Sequence, residues 1–223
     1  MVSSAVKKYA ALCMVCLCSS LFFLGLYQFN NKYSQNTIQA ANGILALSEE
    51  ELQKSPVRFL VSGWAFYPDA LLTPEEIQDE SHYMRYLSIG EHTNFSSPAN
   101  PSPYGCGTYQ MTFFLPERKE TYALEIPEVF SAYNLYLDHD LILQMGEPAQ
   151  GKPLVQNRMV TFHGGKPVTL TIAVSNYDHF YGGIVYPPAF GTMLAVNTSR
   201  GIRFAFCLFS CTVTFVCALL SFY

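Results

Sequence analysis

Hydrophobic and polar residues alternate with a period of two through most of the middle of the chain. In residues 107–115, Tyr109, Met111, Phe113 and Leu115 share one face, with Thr108, Gln110 and Thr112 on the other. In residues 167–175, Val168, Leu170, Ile172 and Val174 alternate with Thr169, Thr171, Ala173 and Ser175. Residues 57–61, 122–126, 132–137, 141–145 and 158–162 repeat the pattern in shorter form. Such alternation belongs to strands, whose successive side chains point to opposite faces. Asp138-His139-Asp140 predicts a hairpin turn between 132–137 and 141–145, and Gly164-Gly165 predicts another between 158–162 and 167–175. Ser48-Glu-Glu-Glu51 and Thr73-Pro-Glu-Glu76 have capping-box spacing and predict two short helices. Seven or more short strands without a long amphipathic helix predict an all-β fold, an antiparallel β-sandwich.

Two stretches break the alternation. No Asp, Glu, Lys or Arg occurs from Tyr9 to Asn31, and none from Phe204 to Tyr223. As a helix, each is long enough to cross a hydrocarbon core of about 30 Å. The chain therefore divides into an N-terminus with a first transmembrane helix (1–31), a juxtamembrane linker (32–42), a β-sandwich (43–197) and a second transmembrane helix (203–223). Lys7 and Lys8 precede the first apolar run and only Lys32 follows it closely, which places the N-terminus in the cytoplasm and residues 32–203 outside. The first run reads as an uncleaved signal anchor, with a cleaved signal peptide as the alternative. The second run has no flanking charge after it, so the sequence reads as the front piece of a longer membrane protein; a natural C-terminus at the far interface is the alternative.

Composition changes little in this picture, but charge sharpens it. Of 223 residues, half are hydrophobic and 13% are charged, which excludes a disordered chain. Removing Lys7 and Lys8 from the 13 basic residues leaves 11 against 17 acidic ones, a net of −6 for residues 32–203. That acidity argues against a nucleic-acid partner and against attraction to anionic headgroups. Of the seven cysteines, only Cys106 lies outside the apolar runs, so the sandwich folds on its core without an internal disulfide.

Catalytic signatures are sparse: the chain has no Gly-x-Ser-x-Gly elbow, His-Glu-x-x-His pair or phosphate loop. Glu125 and Glu128 offer a glycosidase-like carboxylate pair, although solvated strand edges explain them as well. Asp138-His139-Asp140 places metal-ligand side chains in a row, but neighbouring turn residues point apart, so no metal is expected. The expectation is a non-enzymatic chain without a cofactor. Residues 175–184 stand out. A regular strand runs into Asn176, Tyr177, His179 and Tyr181, then a double glycine. Flat aromatic rings beside amide and imidazole groups suit a sugar, whose C–H faces stack while its hydroxyls hydrogen-bond. The structural alternative has Asn176 capping a turn and the tyrosines covering the core rim. Trp64, the single tryptophan, is either a core plug or a stacking platform.

Several patches resemble one known family. They are Gly63-Trp64-Ala-Phe66-Tyr67-Pro, Leu71-Leu-Thr-Pro-Glu75, Tyr104-Gly-Cys-Gly-Thr-Tyr109, Ser131-Ala-Tyr133-Asn-Leu-Tyr136 with Gly146-Glu-Pro148, and Val174-Ser-Asn176-Tyr-Asp-His179-Phe-Tyr-Gly182-Gly183 closed by Pro188-Ala-Phe-Gly191. Together, from about Gly43 to Thr192, they resemble the extracellular sensor domain of bacterial seven-transmembrane receptors with diverse intracellular signalling modules. The resemblance implies a galactose-binding-like jelly roll that senses a carbohydrate or similar small ligand, with the second apolar run as the first helix of a bundle. A histidine kinase, diguanylate cyclase or other output domain would follow. It adds Tyr133 to the candidate ligand-binding set, which becomes Trp64, Tyr133, Asn176, Tyr177, His179 and Tyr181. The chain departs from the family at His139-Asp140, where Asn-Gly is usual, and at Phe180 or Tyr181, where the family has a positive residue near the double glycine, which argues against an anionic ligand. The expected partners are this ligand, the membrane and, as an open point, a second copy in a homodimer. The rival to a sensor is a non-enzymatic module for envelope-protein interaction or dimerisation.

Overall fold

The computed structural model describes residues 4–33, 39–78, 82–90, 95 and 102–221. Residues 34–38 of the juxtamembrane linker lie outside the described set, as do Phe222 and Tyr223 of the second apolar run. Contacts divide the chain into two units, residues 1–35 and 36–223. The first is one helix, α1 (Ser4–Asn30), whose apolar stretch Val6–Phe29 is long enough to span a bilayer.

Among the described residues, the second unit holds eleven strands: β1 (Ile44–Ala46), β2 (Val57–Phe59), β3 (Trp64–Pro68), β4 (Arg85–Leu87), β5 (Gly105–Phe114), β6 (Tyr122–Ile126), β7 (Ala132–Leu137), β8 (Asp140–Met145), β9 (Arg158–Phe162), β10 (Val168–Asn176) and β11 (Ala189–Thr192). Two short helices, α2 (Glu49–Lys54) and α3 (Pro74–Ile77), and a long one, α4 (Met193–Ser221), complete it. One sheet has the order β4-β3-β5-β10-β7-β8, with β1 beside β5, and the other has the order β2-β11-β6-β9. All pairings are antiparallel except β1 with β5, so the fold is the antiparallel sandwich that the alternation predicts.

The inward residues are those on the apolar face of each strand. Phe113 packs with Phe162 and Phe190, and Tyr122 lies over Phe190 at a ring distance of 5.8 Å. Each fully buried large side chain contributes about 1.5–3 kcal/mol, the main favourable term in a domain without disulfides. Both expected capping boxes form. Ser48 and Glu51 close the start of α2, and Thr73 and Glu76 close that of α3. The 138–139 turn joins β7 and β8 as expected, with Asp138 at φ 54° and its Oδ1 accepting from the Thr169 N–H at 2.8 Å.

The expected hairpin at Gly164-Gly165 does not form. β9 pairs with β6, whereas β10 pairs with β5 and β7 in the other sheet. The turn carries the chain across the core, so Phe162 and Val168 belong to facing layers rather than to neighbouring strands. Alternation identifies the apolar face of a strand but not the strand beside it.

The sandwich thus has two distinct ends. At one, the 115–121 and 163–167 connections meet α2; this is the charged end. At the other, residues 102–105, 127–131, 146–157 and 176–188 gather; this is the loop end.

Candidate functional site

β10 delivers Asn176 to the loop end at its last position, opposite Gly105 of β5. The side chain is fully buried and every polar atom of its amide is used. Nδ2 donates to Pro103 O at 2.7 Å and to His179 O at 2.6 Å, and Oδ1 accepts from the His179 N–H at 3.0 Å. Asn176 is therefore a clamp that fixes the following turn, and its polar groups are unavailable to a ligand.

The double glycine has a similar structural origin. A Cβ on Gly182 would stand 1.9 Å from Pro103 O, and Gly183 adopts φ +80° with Tyr109 Oη beside it. The Gly183 N–H donates to the buried Ser131 Oγ at 3.0 Å, which ties the loop to the start of β7. Only glycine accommodates both requirements.

Clamped at both ends, the loop presents the rings of residues 179–181 outward. The His179 imidazole lies flat on Phe130, with centroids 4.7 Å apart and planes 7° from parallel. Its Nδ1 accepts from the Tyr181 N–H at 3.0 Å. In the neutral ring the proton must then sit on Nε2, leaving an oriented donor. Tyr181 leans on both rings, at 5.8 Å from Phe130 and 5.7 Å from His179, and Phe180 meets Tyr181 edge-on. The arrangement combines an aromatic platform with one fixed N–H donor, which suits a ligand having both C–H faces and hydroxyl or carbonyl acceptors.

The other expected site residues lie elsewhere. Trp64 is fully buried, with Nε1 donating to Leu60 O at 2.9 Å; it is a core plug. Tyr133 is also buried, between Met145 and Val174 on neighbouring strands. Its Oη has no hydrogen-bond partner among the described residues, and burial pushes its pKa up to about 12, with Arg158 pulling the other way. Tyr177 is half-exposed but turns away from His179. Its ring lies over Gly151 and its hydroxyl meets Cys106. Burial, and then Asp69, push the Cys106 thiol above its ordinary value. Of the six expected residues, His179 and Tyr181 come together on an exposed surface.

Phe130 completes that surface, and sequence reading missed it. It sits in the β6–β7 connection, where the only available signal was an aromatic residue just before a strand. Glu125 and Glu128 have separate partners: Glu125 faces Arg200 of α4 at 3.9 Å, and Glu128 accepts from Asn157 at 3.3 Å. His139 Nδ1 lies 2.9 Å from Glu75 Oε1, and no group of three or more metal-ligating side chains occurs among the described residues.

No family model matches the chain, and no curated protein matches its sequence. Among solved structures it is similar to an apo β-glucuronidase 3 from Bacteroides uniformis (TM-score 0.48, 11% identity, 62% of this chain and 22% of that one). It is also similar to a GH2 β-galacturonidase from Eisenbergiella tayi bound to galacturonate (TM-score 0.43, 14% identity, 60% and 24%). A third is the Faecalibacterium prausnitzii β-glucuronidase (TM-score 0.43, 18% identity, 62% and 32%). The chain spans less than a third of the length of each of these enzymes.

Proposed function

We propose that this chain is the ligand-sensing, membrane-anchored portion of a bacterial membrane signalling receptor, and that its loop end binds a carbohydrate or similar small ligand. In this reading the chain itself is non-enzymatic. The observation that carries the proposal is the His179–Phe130 stack. Its Nδ1 is occupied by a backbone amide, so Nε2–H remains as a donor beside the half-exposed Tyr181. Two long apolar helices, α1 and α4, support the membrane half of the reading.

The test is a calorimetric screen of the full chain in nanodiscs against neutral sugars, amino sugars and uronates. His179→Phe keeps an aromatic ring on Phe130 but removes the donor. Its expected effect is about a tenfold loss of affinity, the value of one hydrogen bond, with a small drop in thermal unfolding from the lost acceptor of the Tyr181 N–H. Wild-type affinity in His179→Phe, or no binding of any sugar, overturns the proposal.

A further inference from the structure

α4 does not leave the sandwich where β11 ends. Thr192 is paired with Tyr122, and the Met193 N–H donates to Thr121 O at 2.8 Å, so the helix starts at the charged end. It then lies along the outer face of the four-stranded sheet, running in the same direction as β6. Val196 is buried there. Arg200 Nε stands 3.9 Å from Glu125 Oε1, and the Arg203 guanidinium carbon lies 5.0 Å over the Phe59 ring. Val196, Arg200 and Arg203 are spaced i, i+4 and i+7, one face of a helix.

Glu125 and Phe59 are both in register with Ala189, the loop-end residue of β11. From Met193 to Arg203 the helix rises about 15 Å, and from Thr121 to Glu125 a strand covers about 13 Å. By Arg203, therefore, α4 has travelled the length of the sheet and reached the loop end. Residues 204–221 continue the helix beyond it for about 27 Å, close to one hydrocarbon thickness, and residues 204–219 are mostly apolar and mostly exposed.

Exposed apolar side chains at that same end include Tyr104, Leu154, Phe180 and Tyr186, with Phe180 75% exposed, beside the exposed charges of Glu128, Glu147, Lys152 and Asp178. Aromatic rings of this kind concentrate at membrane–water interfaces, and Arg200 and Arg203 would lie at the level of the headgroups. We infer that the loop end of the sandwich rests on the surface of the bilayer that holds residues 204–221, with Phe180 reaching the headgroup–acyl boundary. This goes beyond ligand sensing and rests only on the membrane anchoring in the proposal above. The net charge of −6 over residues 32–203 supplies no attraction to anionic lipid, so the contact is aromatic and forms on zwitterionic phosphatidylcholine.

The test places one new tryptophan at a time in the full chain, in nanodiscs of phosphatidylcholine with or without brominated acyl chains. Trp64 is buried in the core and supplies a constant background. Phe180→Trp, and independently Tyr186→Trp, are expected to lose emission about twofold in brominated lipid, as an interfacial ring should. Phe215→Trp in α4 is expected to be quenched at least as strongly. Lys119→Trp at the charged end is expected to be unaffected. Quenching at 215 without quenching at 180 and 186 overturns the inference and leaves the membrane anchor standing. Quenching at 119 reverses the orientation and overturns the inference. No quenching at 215 removes the anchor and the inference together.

Discussion

The two ends of the sandwich are held by different forces. At the charged end, Arg118 makes an ion pair with Glu49 across the α2 start and a second with Glu120. The buried Arg58 Nη2 donates to Glu51 O at 2.7 Å and Ser55 O at 3.3 Å, closing the C-terminus of α2. At the loop end the fastening of the 176–184 loop is neutral: the Asn176 amide, the Ser131 hydroxyl and the Tyr109 phenol hold its backbone from the core side, with the rings outside them. Exposed ion pairs respond to salt and acid and contribute little each, whereas buried neutral bonds are costly to break singly. The chain thus concentrates the contacts that are costliest to break at the end that carries the candidate site.

The largest expected effect in breaking this contrast is Asn176→Asp. It sets a buried carboxylate against two carbonyl oxygens and should cost on the order of 4 kcal/mol in urea unfolding. Gly182→Ala comes next, at about 3 kcal/mol by the same measurement, because Pro103 O is backbone and has little room to retreat.

Alkali should strike the loop end in turn. Burial holds the Tyr109 phenol up to about 12, above its ordinary 10.0. A raised folded-state pKa gives stability that is complete below the unfolded value and lost as pH climbs from 10 to about 12, worth about 3 kcal/mol here. Tyr109→Phe should remove one share of that part of the unfolding profile, the buried Tyr133, also held up to about 12, supplying another.

Acid should strike the charged end. The Ser48 backbone and hydroxyl hold the Glu51 carboxyl below its ordinary 4.5, and Arg118 does the same for Glu49. Their contribution is complete above the unfolded carboxylate value and fades as pH falls through the lower folded value. Glu51→Gln should reduce the acid slope of thermal unfolding as pH falls below the ordinary carboxylate value. The smallest effect is Arg118→Ala, a slight drop in melting temperature that added salt erases.

What was legible in the sequence was local. Both capping boxes are encoded within four residues, and both form. The core faces of β5 and β10 follow from alternation alone. The β9–β10 connection was misread because Gly164-Gly165 marks a reversal without saying whether it stays within one sheet. The site was half legible for the same reason. His179 and Tyr181 lie two residues apart on one loop, but Phe130 reaches them only because β7 pairs with β10. Trp64 and Tyr133 are aromatic like the platform residues, and nothing local distinguishes a ring inside the sandwich from one on its rim.

The junction between Thr192 and Met193 has a mechanical consequence. The loop that carries His179 and Tyr181 leads into β11, and β11 continues into α4 at the next residue. A helix turns about 100° per residue, so the azimuth of α4 is locked to the sheet like a key cut on its own shaft. One inserted residue would swing every side chain of residues 204–221 by more than a quarter turn about the helix axis, while the sandwich above kept its shape.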